Sequence, residues 1–302
     1  MIDLRRLQVL RMLASCGTVT ATARSLHLTP SAVSQQIRQL SRELDVELLS
    51  QEGRGVRLTS AALALLEHAD AIYERWERLR AELAVHGEHR GGRLRVCGVS
   101  SVIAALVAPA AAALAAEPEP VAVTIAEEET KDCFELLLNG DADLAVVLPT
   151  ADVPPIDDPR FEQHVLLDDP QDLLVRADHP LAGRDRIELA DAAREPWVVK
   201  IQGNDSHQLL LAACGSAGFT PRIGHQVKEW YAVSALVAEG LGVCLLPRMV
   251  PIPASHAVVR LNLTGTPQPS RRIAAYVRRG GAGHPVLARG LEALAAAAGK
   301  PA

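Results

Sequence analysis

Leu7, Leu10, Met12 and Leu13 keep helical rhythm between Leu4 and Cys16, and Gly17 follows as a residue suited to end a helix. Thr18 or Thr20 is placed to cap a second, short helix through Leu26, with Ala21, Ala23 and Leu26 turned inward. In "SLHLTPSAVSQQIRQL" Thr29 supplies an N-cap oxygen to a third helix, and Pro30 takes its first position, where a missing N–H costs nothing. Val33, Ile37, Leu40 and Leu44 face inward on that helix, which leaves Ser31, Ser34, Gln35 and Arg38 outward. "VELLSQEGRGVRLTS" places two short apolar runs around Gly53 and Gly55 and predicts a β-hairpin. Three helices and a hairpin make a winged helix-turn-helix.

The rhythm then becomes a seam. Ala62, Leu65, Ala69, Ile72, Trp76, Leu79 and Leu83 step by alternating three and four, while Glu67, Asp70, Glu74, Arg75, Glu77 and Arg78 cover the other faces. So narrow a stripe fits a partner helix, and Leu65, Ile72, Trp76, Leu79 and Leu83 are the predicted dimerisation residues. An amphipathic helix packed on its own domain is the competing reading. From Arg93 onward strands ("RLRVCGV", "VAVTIAE", "ADLAVVLP", "DLLVRA", "PWVVKI", "RIGHQVK", "GVCLLP", "RRIAAYVRR") alternate with helices, the last over Pro285 to about Ala298. Such alternation predicts parallel sheets covered by helices, and its length predicts two α/β lobes.

Composition sharpens this picture. The chain of 302 residues is 48% hydrophobic and 22% charged, as in an ordinary soluble protein. Its longest apolar-rich stretch, "VIAALVAPAAAALAA", contains a proline and stops short of the roughly 20 residues a membrane span needs. The first residues show no signal-peptide pattern. The net charge of −5 hides an asymmetry: residues 1–62 carry eight arginines against five acidic residues, so the excess of acid lies entirely downstream. A basic amino-terminal module on an acidic body suits contact of that module with a polyanion. Cys16, Cys97, Cys133, Cys214 and Cys244 form no C-x-x-C pair and read as reduced thiols in a cytoplasmic chain.

Chemistry other than binding has little support in the residues. "GVSSVIA" places a serine after a strand but lacks the second glycine of a G-x-S-x-G elbow. His207 with Asp205 is a metal pair only if further ligands converge, and neither a metal nor a cofactor is implied. A redox switch at Cys214 or Cys244 has no neighbouring resolving cysteine in sequence. A free-standing solute-binding protein would fit two lobes but not the first 90 residues. Ligands of open α/β sheets gather beyond the carboxyl ends of strands, which selects Ser100, Ser101, Thr130, Gln202 and Lys228 as effector-site candidates. Capping of a helix is the alternative role for Ser100 and Ser101. Of only four lysines, Lys131, Lys200 and Lys228 fall at predicted strand ends, so Lys200 and Lys228 are candidates to hold an anionic effector. The acidic run Glu127, Glu128 and Glu129 stands against that if it points inward.

In order and spacing, the chain resembles the LysR-type transcriptional regulators over essentially its whole length. Leu26, Leu28, Pro30, Ser31, Ala32, Val33, Ser34, Ile37 and Leu40 carry the likeness in the helix-turn-helix, and Leu48, Gly53, Arg54, Val56, Leu58 and Thr59 in the wing. "GRLRV" at 92, "NGDADLAVV" at 139, "DHPLA" at 178 and "VAEGLGVCLLP" at 237 carry it downstream. Leu49, Gln51, Ala61, Ala62, Ser41 and Asp45 depart from the family's usual residues, and Gln51 removes a cation near the wing. The resemblance implies a winged helix-turn-helix over 1–61, a linker and dimerisation helix over 62–90, and a two-lobed α/β effector domain like periplasmic binding proteins over 91–302. Lobe I would take 91–162 and 269–302, and lobe II 163–268. It implies double-stranded DNA as partner, contacted through Pro30, Ser31, Ser34, Gln35, Arg38 and the hairpin-tip Arg54. A small-molecule effector between the lobes, a homodimer or homotetramer, and RNA polymerase as a candidate partner complete the expectation, with no membrane and no enzymatic activity.

Overall fold

A computed structural model of the chain describes residues 3–52, 55–86, 92–150, 154–155, 157–201, 205–265 and 268–299. Helix α1 (Leu4–Cys16) is capped by Asp3 and ends at Gly17, whose φ of 75° is the left-handed turn a glycine adopts freely. Thr18 caps α2 (Val19–Ser25), accepting from the Ala21 amide at 3.1 Å. Thr29 caps α3 (Pro30–Leu44), accepting from Ala32 at 3.2 Å, and Asp45 ends it in the left-handed region. Strands β1 (Leu49–Glu52) and β2 (Gly55–Leu58) pair antiparallel with Leu49 opposite Leu58, forming the wing. Val9, Leu10, Leu13, Val33, Ile37 and Leu40 close the core of this head with Leu48 and Ala62. The predicted head elements are all present.

The long helix α4 (Ser60–Val85) starts from the cap at Thr59 and spans 26 residues, about 39 Å at helical rise. Beyond it run β3 (Gly92–Gly98), α5 (Ser100–Val102), a π-helical turn (Ile103–Val107) and α6 (Ala108–Ala115). There follow β4 (Val121–Glu127), α7 (Thr130–Asn139), β5 (Leu144–Val147) and β6 (Phe161–Arg176). After two 3₁₀ turns come β7 (Pro196–Lys200), α8 (Asp205–Ser216), β8 (Arg222–Val227) and α9 (Trp230–Ala238). The chain closes with β9 (Cys244–Pro247), β10 (Val258–Leu261), β11 (Ser270–Arg278) and α10 (Pro285–Ala298).

Two lobes result, as expected, but their sheets are mixed and not parallel. Strand β3 pairs parallel with β4 and β5, whereas β11 runs antiparallel to both β5 and β6. In the second lobe β7 and β8 are parallel, while β9 and β10 pair antiparallel with β6. The reason is the 16-residue strand β6, which leaves lobe I and continues into lobe II, with β11 returning beside it. The sequence pattern showed only its second half, "DLLVRA", because the first half breaks strand alternation with the polar run Glu162, Gln163 and His164. Strand β10 was likewise unforeseen. No helix among the described residues is long and apolar enough to cross a membrane.

Candidate DNA-binding and effector-binding sites

The head presents α3 outward. Ser31, Gln35 and Arg38 are exposed and Ser34 is half-buried, while Val33, Ile37 and Leu40 anchor the opposite face. Pro30 occupies the first turn, and the Ser31 hydroxyl lies 3.0 Å from that of its neighbour Thr29. A serine, an amide and an arginine on one exposed helical face are what base edges and phosphates accept. Arg54 lies outside the described residues.

Helix α4 divides its seam. Ala62 and Ala69 are fully buried and Leu65 packs on the head's own core, so the amino-terminal end follows the competing reading of an intramolecular face. Further along, Ile72, Trp76, Leu79 and Leu83 are 42%, 46%, 42% and 60% exposed, an open apolar stripe on a helix that meets lobe I with its other side. There Arg278 donates to Glu77 at 2.9 Å. Gly280, with φ of 84°, passes so close that a Cβ would stand 2.5 Å from the Glu74 carbonyl oxygen.

Between the lobes lies a cavity of about 140 Å³ lined by Val99, Ser100, Ser101, Glu127, Glu128, Glu129, Leu148, Lys200, Ser206, Lys228, Glu229, Trp230 and Arg271. All but Arg271, which enters from the start of β11, stand at or just beyond the carboxyl ends of β3, β4, β5, β7 and β8, where strand ends and helix starts leave room for a ligand. Ser100, Ser101 and Lys228 therefore lie where the sequence placed them. Neither serine caps: the cap position is Val99, without a side-chain bond, and the Ser101 hydroxyl accepts from Arg271 at 3.0 Å. Thr130 is a correction. It is fully buried in the first turn of α7 and is absent from the lining, because the turn points Glu127–Glu129 inward and roots the threonine in the lobe. Gln202 lies outside the described residues, and Lys131 does not line the cavity.

The charge pattern also differs from expectation. Lys200 is buried, donates to the Lys228 carbonyl and stands 5.1 Å from the Trp230 ring centroid. Burial pulls its ammonium below the usual lysine range, with Glu229, Glu129 and Glu127 opposing. Arg271 is buried against Asp169 at 2.9 Å and is thereby neutralised. Glu127, Glu128, Glu129 and Glu229 also line the cavity, exposed like its other lysine, Lys228. Beneath it the crossing strands are pinned by two buried aspartates: Asp169 with Arg271, and Asp172 with Arg248 at 2.7 Å and Arg260 at 3.7 Å. Arg271, Trp230 and Glu229 were not singled out in the sequence, since nothing local distinguishes an arginine whose strand returns from the far end of the chain.

The five cysteines are free. Burial pushes the Cys214 and Cys244 thiols up to about 12, so both are protonated near neutrality. Cys133 is also raised, by a hydrogen bond with Cys97 and by burial. His207 is buried, with its Nδ1 2.8 Å from the Lys200 carbonyl oxygen, and among the described residues no three His, Cys, Asp or Glu side chains converge on a metal geometry.

A winged helix-turn-helix, a long helix with an open apolar stripe and a two-lobed domain with an interlobe cavity define a ligand-responsive DNA-binding regulator. Comparison with known proteins carries this to a family. The model described as "Bacterial regulatory helix-turn-helix protein, lysR family" matches residues 4–63, and "LysR substrate binding domain" matches residues 87–299. The chain belongs to the LysR family of transcriptional regulators. It is 26% identical over 246 residues to the transcriptional dual regulator GltC of Bacillus subtilis, covering 82% of this chain and 81% of that one. It is 27% identical over 281 residues to a hydrogen peroxide-inducible genes activator of Pectobacterium carotovorum, covering 92% and 91%. In structure it is similar to full-length CbnR complexed with its target DNA, at a TM-score of 0.58 and 22% identity over 98% of this chain and 100% of that one. The protein is thus a DNA-binding regulator with an effector-binding domain, and not an enzyme.

Proposed function

We propose that this regulator reads DNA through the outer face of α3 and is controlled by a small molecule held between its lobes. Ser31, Ser34, Gln35 and Arg38 contact bases and phosphates in the major groove, Pro30 sets the start of that helix, and Arg54 enters the adjacent minor groove. The functional units run 1–61, 62–90 and 91–302, with the lobes divided as the resemblance implies. Ile72, Trp76, Leu79 and Leu83 pair two copies, so that two heads bind a two-fold-symmetric site with the avidity of a linked pair. The protein works in the cytoplasm as a homodimer or homotetramer, with RNA polymerase as a candidate partner.

The observation that carries the effector reading is the interlobe cavity with its ring of strand-end residues. Its charge reverses the anionic expectation. Lys200 and Arg271 are committed to the protein's own groups, and Glu127, Glu128 and Glu229 face the one further lysine, Lys228, so a ligand with an ammonium group meets the complementary field. The volume is near that of an engineered cavity known to admit benzene, which suits a small ligand. Footprinting of the DNA upstream of the protein's own gene, with a panel of small amines, amino acids and carboxylates, tests the whole. Gln35→Ala should raise the protein concentration needed for protection. The response to amines should be lost in Glu128→Gln while protection persists. A response to carboxylates alone would refute the charge argument.

A further inference from the structure

The cleft and the head are joined by one short helix. The amino end of α7 leaves the cavity wall: Glu127, Glu128 and Glu129 line the cavity, and Glu129 is the residue before the helix. That end is pinned to β3, since the Glu128 amide donates to the Gly98 carbonyl at 3.0 Å, and the helix's first backbone bond runs from the Cys133 amide to the Glu129 carbonyl at 3.1 Å. The carboxyl end reaches the DNA-binding head about 15 Å away, at ten residues of helical rise. There the Asn139 amide nitrogen donates to the Ser25 carbonyl and hydroxyl at 2.8 and 2.9 Å, and Gln8 donates to the Leu138 carbonyl. Met12 of the head is fully buried in a lobe I cluster with Cys133, Phe134 and Leu137. Arg278 binds the Leu137 carbonyl at 2.9 Å with one nitrogen and Glu77 of α4 with another. One end of α7 thus touches the candidate effector site, and the other touches head and linker helix together.

The docked head leaves Gln35 and Arg38 exposed, so the contact does not mask the recognition face. What it fixes is the direction in which α3 points. A packed helix moves as a body, because close-packed interiors transmit a displacement and do not absorb it. We propose that lobe I carries a docking surface for the DNA-binding head, centred on Leu138 and Asn139, and that α7 is the strut through which the occupant of the cleft sets the head's orientation. This rests on the reading of the interlobe cavity as the effector site.

Amide-resolved hydrogen exchange on the full free chain tests it without effector or DNA. The latch is cut in two ways, by Gln8→Ala with Asn139→Ala and by the isosteric Asn139→Asp, which faces the Ser25 carbonyl with an acceptor. A coupled strut gives at least threefold faster exchange at the Glu128 and Cys133 amides in either variant, with the lobe II amides of Val198 and Val199 unchanged. Conversely, Lys200→Met at the cleft accelerates amides in α1. Acceleration confined to residues 136–142 and the head overturns the proposal, and so does equal acceleration everywhere, which is only lost stability. If the footprint fails while these amides respond, the functional reading falls and the strut stands. A positive footprint with a purely local response removes the strut alone.

Discussion

Arg271→Met should cost far more than the loss of one surface arginine. Arg271 and Asp169 are 2% and 3% exposed, and the guanidinium donates to Asp169 at 2.9 Å and to Ser101 at 3.0 Å on the cleft floor. Removing one partner of a buried pair strands the other charge, at about 3–5 kcal/mol, whereas replacing both by apolar groups is often close to neutral. Burial already holds the Asp169 carboxyl above the usual aspartate range despite Arg271, Met249 and Arg260 pulling it down. Without the guanidinium it rises further. The folded variant then binds a proton that the unfolded chain has released, so the deficit is small below the ordinary aspartate range and grows as pH climbs through the raised folded value. Urea unfolding followed by circular dichroism, at several values between pH 4 and 8, reads this directly. We expect a loss of about 3–5 kcal/mol at pH 8 that shrinks toward pH 4, and recovery by at least about 2 kcal/mol in Asp169→Leu/Arg271→Met. A single variant within about 1 kcal/mol of wild type at pH 8, or a deficit that grows on acidification, would refute the argument.

Leu83→Glu should dissociate the proposed dimer in sedimentation velocity, since two copies of a leucine worth about 1.5–3 kcal/mol each are lost, a weakening of 100-fold or more; an unchanged sedimentation coefficient at micromolar protein would exclude this stripe as the interface. Gln35→Ala should cost about 1–3 kcal/mol per head and relax specificity at one base position, while Arg38→Ala, if it holds a phosphate, should reduce the salt slope of binding by about one. Fluorescence anisotropy across a salt series separates the two. Gly280→Ala places a Cβ 2.5 Å from the Glu74 carbonyl oxygen at a φ of 84°, and should lower thermal stability by about 1–3 kcal/mol by forcing α4 off lobe I. Cys214 and Cys244, with thiols near 12, should react with a thiol reagent at pH 7 only as fast as the chain opens; rapid labelling of either would restore the redox reading.

The head was legible because its signals are local: Thr18 and Thr29 cap, Pro30 starts a helix, Gly17 and Asp45 end helices, and each acts within a turn of itself. Helix α10 was readable for the same reason, its proline marking the first position. Strand direction was not, because helical alternation reports which segments pair and cannot report that one strand serves both lobes. The cleft falls between these cases. Ser100, Ser101 and Lys228 follow from the rule that ligands gather at strand ends, yet the same rule put Thr130 in the cavity when the turn before α7 presents three glutamates instead. Lys200 shows the deeper difficulty. A lysine at a strand end announces a positive charge, but whether that charge faces a ligand depends on the Lys228 carbonyl and the Trp230 ring, which a different strand and helix bring to it. The sign of a binding site is set by what is left after internal pairing, and internal pairing in a two-lobed fold is a property of the crossing strands. This is why Asp169 and Arg271, about 100 residues apart in sequence, decide the chemistry of a cavity whose local motifs are only serines and glutamates.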